Sequence, residues 1–216
     1  MATPSLAPKE PVRLVPPAGQ PIAGPLAGDP GMLGLPSFII GTVALGLLSI
    51  GVLPTAPNTA AVPILLTATS IGLFLATIWS AVTRQNAAAG IYGIFSGFYS
   101  SYAVLLLGMA HNWFGIGPAG YTDTAKAFLI SWMVIVTMLI LATLRLPVIF
   151  TALFTLVDVT LLLSLLQLIH NSTALQKATG WTALAVAAVG VYLFISASFH
   201  DTGGKELPAG KPILHT

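Results

Sequence analysis

The sequence predicts an all-α membrane protein with six transmembrane helices in one bundle and both termini cytoplasmic. Three observations carry that expectation. Of the 216 residues, 56% are hydrophobic and 6% charged, against about 25% charged in ordinary soluble domains, and the mean hydropathy is +0.91. Eight Lys/Arg and six Asp/Glu cannot coat a folded chain of this size in water. The apolar stretches also come in lengths near the roughly 20 residues that a helix needs to cross a bilayer. Finally, the basic residues fall unevenly: Lys9, Arg13, Arg84, Arg145, Lys205 and Lys211 lie on one side of the predicted spans, Lys126 and Lys177 on the other. The richer side is the cytoplasmic one.

Each element follows from local chemistry. Residues 1–28 are expected to be a flexible tail, because nine of the sixteen prolines lie within residues 1–36 and a Pro/Gly/Ala-rich stretch neither holds a helix nor has much to bury. No charge occurs between Pro30 and Thr83. That run holds span 1 (about 37–53) and span 2 (about 62–82), with Pro54-Thr-Ala-Pro57-Asn58 as the turn. The polar Arg84-Gln85-Asn86 leads to span 3, about 88–110. A connection from His111 to Thr124, broken by Gly115, Gly117, Pro118 and Gly120, precedes span 4 (about 126–144), which stops at Arg145-Leu-Pro147. Span 5 (about 147–169) ends at His170-Asn171. Span 6 (about 179–199) is closed by His200-Asp201, and residues 201–216 form a cytoplasmic tail. The membrane-spanning core is therefore residues 29–200. Trp79, Trp113, Trp132 and Trp181 are expected near the membrane interfaces.

Several functions are excluded. A net charge of +2 with scattered basic residues gives no footprint for nucleic acid. With no cysteine there is no thiolate metal site or haem attachment, and the histidines at 111, 170, 200 and 215 show no ligand-type pairing, so neither metal nor cofactor is expected. Phosphate loop, nucleophile elbow and HExxH motif are all absent. The chain does not read as an enzyme, and any transport would use the solute's own gradient or an ion gradient.

The spans contain three notable features. Gly93-Ile-Phe-Ser-Gly97 in span 3 and Ala183, Ala187 and Gly190 in span 6 are small-residue faces suited to close helix packing, within the protomer or between subunits. Asp158 is the one charged residue deep in a span. Intramembrane carboxylates are costly and usually face a partner or a cavity, so it is either a proton-handling group or a hydrogen-bonded tie between helices. Span 3 further carries Tyr92, Ser96, Phe98, Tyr99, Ser100, Ser101 and Tyr102, rings and hydroxyls that suit either a narrow path for a small polar solute or interhelical hydrogen bonding.

The order of motifs resembles the acetate uptake transporter family, the succinate–acetate permeases, over about residues 29–200. Asp29-Pro30-Gly31-Met32-Leu33-Gly34-Leu35 is similar to that family's Asn-Pro-Ala-Pro-Leu-Gly-Leu opening. Phe95-Ser96-Gly97-Phe98-Tyr99-Ser100-Ser101-Tyr102 resembles its Phe-Ser-Ser-Tyr-Gly-x-Phe-Trp. Leu156-Val157-Asp158-Val159-Thr160-Leu161-Leu162-Leu163 resembles a Leu-x-Asp-Leu-Thr-x-x-Leu-Leu run, and Gly180-Trp181 with Tyr192 follows in span 6. The resemblance implies a multi-pass inner-membrane permease for small carboxylates such as acetate and succinate, assembled as a homohexamer with a path through each protomer. It implies a hydrophobic constriction of Phe38, Phe98 and Leu156. Gly34, Leu35, Ser96, Tyr99, Ser100 and Tyr102 are candidates for lining the path, and Asp158 is the candidate for assisting a proton. Phe98 stands where the family usually has Tyr, and span 2 lacks the family's Gly-Gly-x-x-Gln pattern. A passive channel for ammonia, urea or acetic acid, and a structural subunit of a larger membrane complex, are the alternative readings.

Overall fold

The computed structural model of the chain describes residues 27–52 and 58–214. The tail expected to be flexible and the turn at Pro54–Pro57 lie, apart from residues 27 and 28, outside the described residues. Among the described residues six helices are long and apolar enough to cross a membrane. They are α1 (Gly31–Ile50), α2 (Ser70–Val82, entered through a π-helical stretch at Ile64–Thr69), α3 (Asn86–Ala110), α4 (Tyr121–Ala142), α5 (Val148–His170) and α6 (Thr173–Asp201).

Three helices start earlier than the sequence reading placed them, α4 among them, at Tyr121 rather than near 126. α1 begins at Gly31 rather than near 37 and runs through Pro36, since a proline in the opening turns removes only one intrahelical bond and membrane helices tolerate it. The Asp29 carboxylate accepts the Gly31 amide at 2.8 Å, which satisfies one of the unpaired donors at this helix start and complements its dipole. At the other end Gly51 takes a left-handed φ of 78° and its amide bonds the Leu48 carbonyl at 3.2 Å. α6 begins at Thr173 rather than near 179, because the Ser172 hydroxyl caps it by accepting from the Leu175 amide at 3.4 Å. Trp132 is a further departure. It is the twelfth residue of α4 and half-buried, not at an interface, whereas Trp113 and Trp181 are 46% and 63% exposed.

The helices form a ring in which each packs on its neighbours in chain order and α6 closes on α1. The α1–α6 seam is the most intimate, for a steric reason. A Cβ on Gly180 would lie 2.8 Å from both the Gly46 carbonyl oxygen and the Ile50 amide nitrogen, so the backbones meet where neither has a side chain. Close approach of this kind supplies the dispersion contact that drives helix association in lipid. The small residues Ala183, Ala187 and Gly190 are likewise buried on α6. Gly93 makes room for Thr77 of α2 and Gly97 for the Trp132 ring of α4.

The α3–α4 seam has the fewest close backbone approaches in the ring and is filled by rings instead. Phe98 lies 5.3 Å from Trp132 and 5.9 Å from Phe128, and Tyr102 lies 5.5 Å from Phe128. The outward faces of α2 and α4 are apolar, with Ile71, Phe74, Ile78, Val134, Met138 and Leu141 all exposed, as helices facing lipid or another subunit require. Beyond α6 the chain turns back across the end of the bundle. The Leu207 amide donates to the Ser196 hydroxyl at 3.0 Å, Tyr192 donates to the Pro208 carbonyl at 2.8 Å, and the Ile213 and Leu214 amides reach the Leu144 carbonyl at 3.1 and 2.9 Å.

Candidate functional site

Two cavities occupy the inside of the ring. One, of about 370 Å³, lies towards the end that carries the α3–α4 connection, between α1, α3, α4, α5 and α6. The other, of about 340 Å³, lies towards the end that carries both chain tails, where Asp29, Gln85, His200 and Glu206 line it together with Tyr92 and the returning residues Leu207 and Ala209. We call them the loop-side and tail-side cavities. Both are lined by Phe38 and Phe95.

The wall between them is aromatic. Phe38 of α1 meets Phe95 of α3 edge-on at 5.0 Å, Phe95 stacks with Phe154 of α5 at 5.8 Å, and Phe38 meets Tyr99 at 6.2 Å. All four residues are buried, at 6%, 4%, 1% and 3% exposure for Phe38, Phe95, Phe154 and Tyr99. Edge-to-face and offset pairs at these spacings hold rings in fixed orientations. The result is an aromatic waist, with Phe38 and Phe95 shared by the linings of both cavities.

On the loop side the lining turns polar one helical turn out. Thr42 and Tyr99 hydrogen-bond across α1 and α3 at 2.6 Å. Thr160, Ser164 and Gln167 follow at increasing distance from the waist along α5, and Thr179 and then Gln176 do so along the antiparallel α6. Among the described residues, no Lys or Arg lines either cavity and no acid lines the loop-side one. Nor do three His, Cys, Asp or Glu side chains cluster as metal ligands.

The sequence-predicted residues fall in several places. Phe38 is at the waist and Tyr99 beside it. Phe98 lines the loop-side cavity but turns towards α4, and Tyr102 lines the same cavity, stacked on Phe98 at 6.0 Å. Leu35 lines the tail-side cavity. Leu156 lines neither cavity; it packs against the hydrophobic core. Gly34 is the flat surface on which the Tyr92 ring rests. Ser96 donates to the Ser70 carbonyl at 2.9 Å and so ties α3 to α2, and Ser100 donates to its own helix at the Ser96 carbonyl, 2.8 Å. Neither serine lines a cavity. Asp158 also stands outside both: its Oδ2 accepts from Thr137 of α4 at 3.2 Å, and its Oδ1 has no partner among the described residues.

Sequence reasoning missed Phe95, Phe154, Thr42 and the two glutamines. Phe95 was within reach, because positions 95, 99 and 102 share one helical face at i, i+4, i+7 spacing. Thr42 is four residues after Phe38 and would have followed from the same rule. Phe154 carries no signal in a helix where nearly every residue is apolar.

The ring of six spans with two opposed cavities and an aromatic waist defines a polytopic membrane protein. A family model, the GPR1/FUN34/yaaH family, matches residues 14–203, and the chain belongs to that family. A glyoxylate pathway regulator of Yarrowia lipolytica is 27% identical over 183 residues, 82% of this chain and 66% of that protein, so the chain spans just under two thirds of its relative's length. The solved bacterial acetate channel SatP has the same fold, with a TM-score of 0.75 at 19% identity, covering 85% of this chain and 99% of SatP.

Proposed function

We propose that the chain is a permease for small monocarboxylates, acetate first and succinate as a competitor, in which solute and proton cross together through the waist of each protomer. The observation that carries this reading is the pair of cavities meeting end to end at Phe38 and Phe95. Family membership and the fold shared with an acetate channel support the solute.

Proton co-movement follows from magnitudes. Withdrawing an ion from water costs several kcal/mol even after the protein relaxes, and rings without cationic side chains return little of it. Protonating a carboxylate at pH 7 costs about 3–4 kcal/mol if its pKa is about 4.3, at about 1.4 kcal/mol per pH unit. The neutral route is the cheaper one. The apolar methyl of acetate then meets the rings while the carboxyl end keeps hydrogen bonds to the polar lining.

The count of basic residues supports cytoplasmic termini, with the tail-side cavity facing the cytoplasm of a plasma membrane. The exposed apolar faces of α2 and α4 are available for a homohexamer. A second reading, passive passage of small neutral solutes, is favoured by the absence of Lys and Arg from the cavity linings among the described residues. Uptake of labelled acetate into liposomes carrying the purified chain distinguishes them: saturation and competition by succinate support the permease, and linear uptake without competition supports the passive channel.

A further inference from the structure

The hydroxyls nearest the waist can be assigned a direction. A threonine hydroxyl carries one proton, and that of Thr42 donates to the Phe38 carbonyl at 2.8 Å. The 2.6 Å contact between Thr42 and Tyr99 is therefore donated by Tyr99. Both protons point into the protein fabric, and what the pair offers to the cavity is lone pairs. The next hydroxyls outward behave alike, Thr160 donating to the Leu156 carbonyl at 2.8 Å and Ser164 to the Thr160 carbonyl at 2.9 Å. Free-standing donors come at the far end, where the Gln167 and Gln176 carboxamides line the same cavity. Gln167 is thirteen residues beyond Phe154 on α5, about 20 Å along the axis.

This order runs against a bare anion. A carboxylate accepts hydrogen bonds and donates none; amide N–H groups at the mouth suit it, and a row of lone pairs beside the waist repels it. An undissociated acid donates one. We propose that Thr42 and Tyr99 form an acceptor site for the O–H of a neutral carboxylic acid, and that this site, resting on the permease reading above, selects the protonated solute for passage. The carboxylate binds its proton from loop-side water, crosses as the acid, and releases the same proton to water on the tail side, so one proton moves with each solute and no net charge moves. The groups that could complicate this are few. Tyr102 is the other ionisable residue lining the loop-side cavity, Asp158 is turned to α4, and Asp29, Tyr92, His200 and Glu206 lie beyond the waist in the tail-side cavity.

The test uses the full chain in liposomes and labelled acetate, with uptake by empty liposomes subtracted. At fixed total acetate the initial rate should fall about tenfold per pH unit above pH 6, following the acid fraction, and should ignore a potassium–valinomycin potential. Thr42→Val keeps the shape but removes the acceptor for the Tyr99 proton, which then points into the cavity as a donor. This variant should admit the anion and make uptake at pH 7 depend on the potential. Tyr99→Phe deletes the accepting oxygen and should lower the rate about fivefold, the worth of one ordinary hydrogen bond, without gaining potential dependence. Wild-type uptake that follows total acetate or the imposed potential would overturn the proposal while leaving the permease reading standing. So would a Thr42→Val protein that elutes like wild type yet stays indifferent to the potential. Absence of saturable uptake at every pH would overturn the permease reading and this site with it.

Discussion

Replacing Phe95 with alanine should do two separable things. The ring is 4% exposed and pairs with Phe38 at 5.0 Å and Phe154 at 5.8 Å. Two aromatic pairs contribute about 0.5–1.5 kcal/mol each beyond their buried area, and Phe→Ala in a closed core costs about 3–5 kcal/mol. Here the ring is flanked by cavities of about 370 and 340 Å³, so part of its surface lacks packing partners and the lower end, about 3 kcal/mol, is expected. Its removal also joins the two cavities into one continuous space. Thermal unfolding in detergent measures the first effect; uptake of a series of carboxylates of increasing size measures the second. The Phe95→Ala chain should unfold at lower temperature and pass acids the parent rejects. Phe98→Ala is the informative companion. Phe98 touches Tyr99, Tyr102, Phe128 and Trp132, so its loss should destabilise the α3–α4 seam comparably but leave the size limit where it was. An unchanged size limit in Phe95→Ala, or a relaxed one in Phe98→Ala alone, would refute this placement of the waist.

Other expectations are simpler. Gly180→Ala would push a methyl against the Gly46 carbonyl and Ile50 amide, costing about 1–3 kcal/mol as overpacking does and lowering the unfolding midpoint. Asp158→Asn should leave the pH dependence of uptake intact, since the side chain lines neither cavity; a flattened pH profile would return the proton role to Asp158. Ser96→Ala removes the bond to the Ser70 carbonyl and should cost about 1 kcal/mol with little change in uptake rate. Deleting residues 205–214 removes Glu206, Leu207 and Ala209 from the tail-side wall, so a thiol introduced at Leu35 should react faster with water-soluble reagents.

The six spans were legible because the bilayer demands long apolar helices whatever they pack against, and hydropathy records that demand directly. Helix ends were less so. Span 1 was placed from about 37, just after Pro36, yet α1 starts at Gly31 and continues through that proline, and Lys177 was placed ahead of span 6, yet it rides on an α6 of 29 residues. The waist was only half legible. Phe95, Phe98, Tyr99 and Tyr102 lie within eight residues of one helix, and motif similarity alone cannot say which of them faces inward. Packing decides it: Gly97 admits the Trp132 ring from α4, Phe98 joins that ring, and Phe95 and Tyr99 are left facing Phe38. Asp158 illustrates the same limit on α5. A charge in an apolar run announces cost, but its direction depends on Thr137, a residue of another helix.

The central claim is that solute passes from one cavity to the other inside a single protomer. The chain contains no cysteine, so single thiols can be placed at Leu45 in the loop-side cavity, Leu35 in the tail-side cavity and exposed Ile71 on the outer face of α2. Labelled acetate uptake would then be measured before and after complete reaction with a bulky thiol reagent. Block at both Leu45→Cys and Leu35→Cys, with Ile71→Cys unaffected, is the predicted result. Uptake that persists through both fully modified cavities would contradict the account.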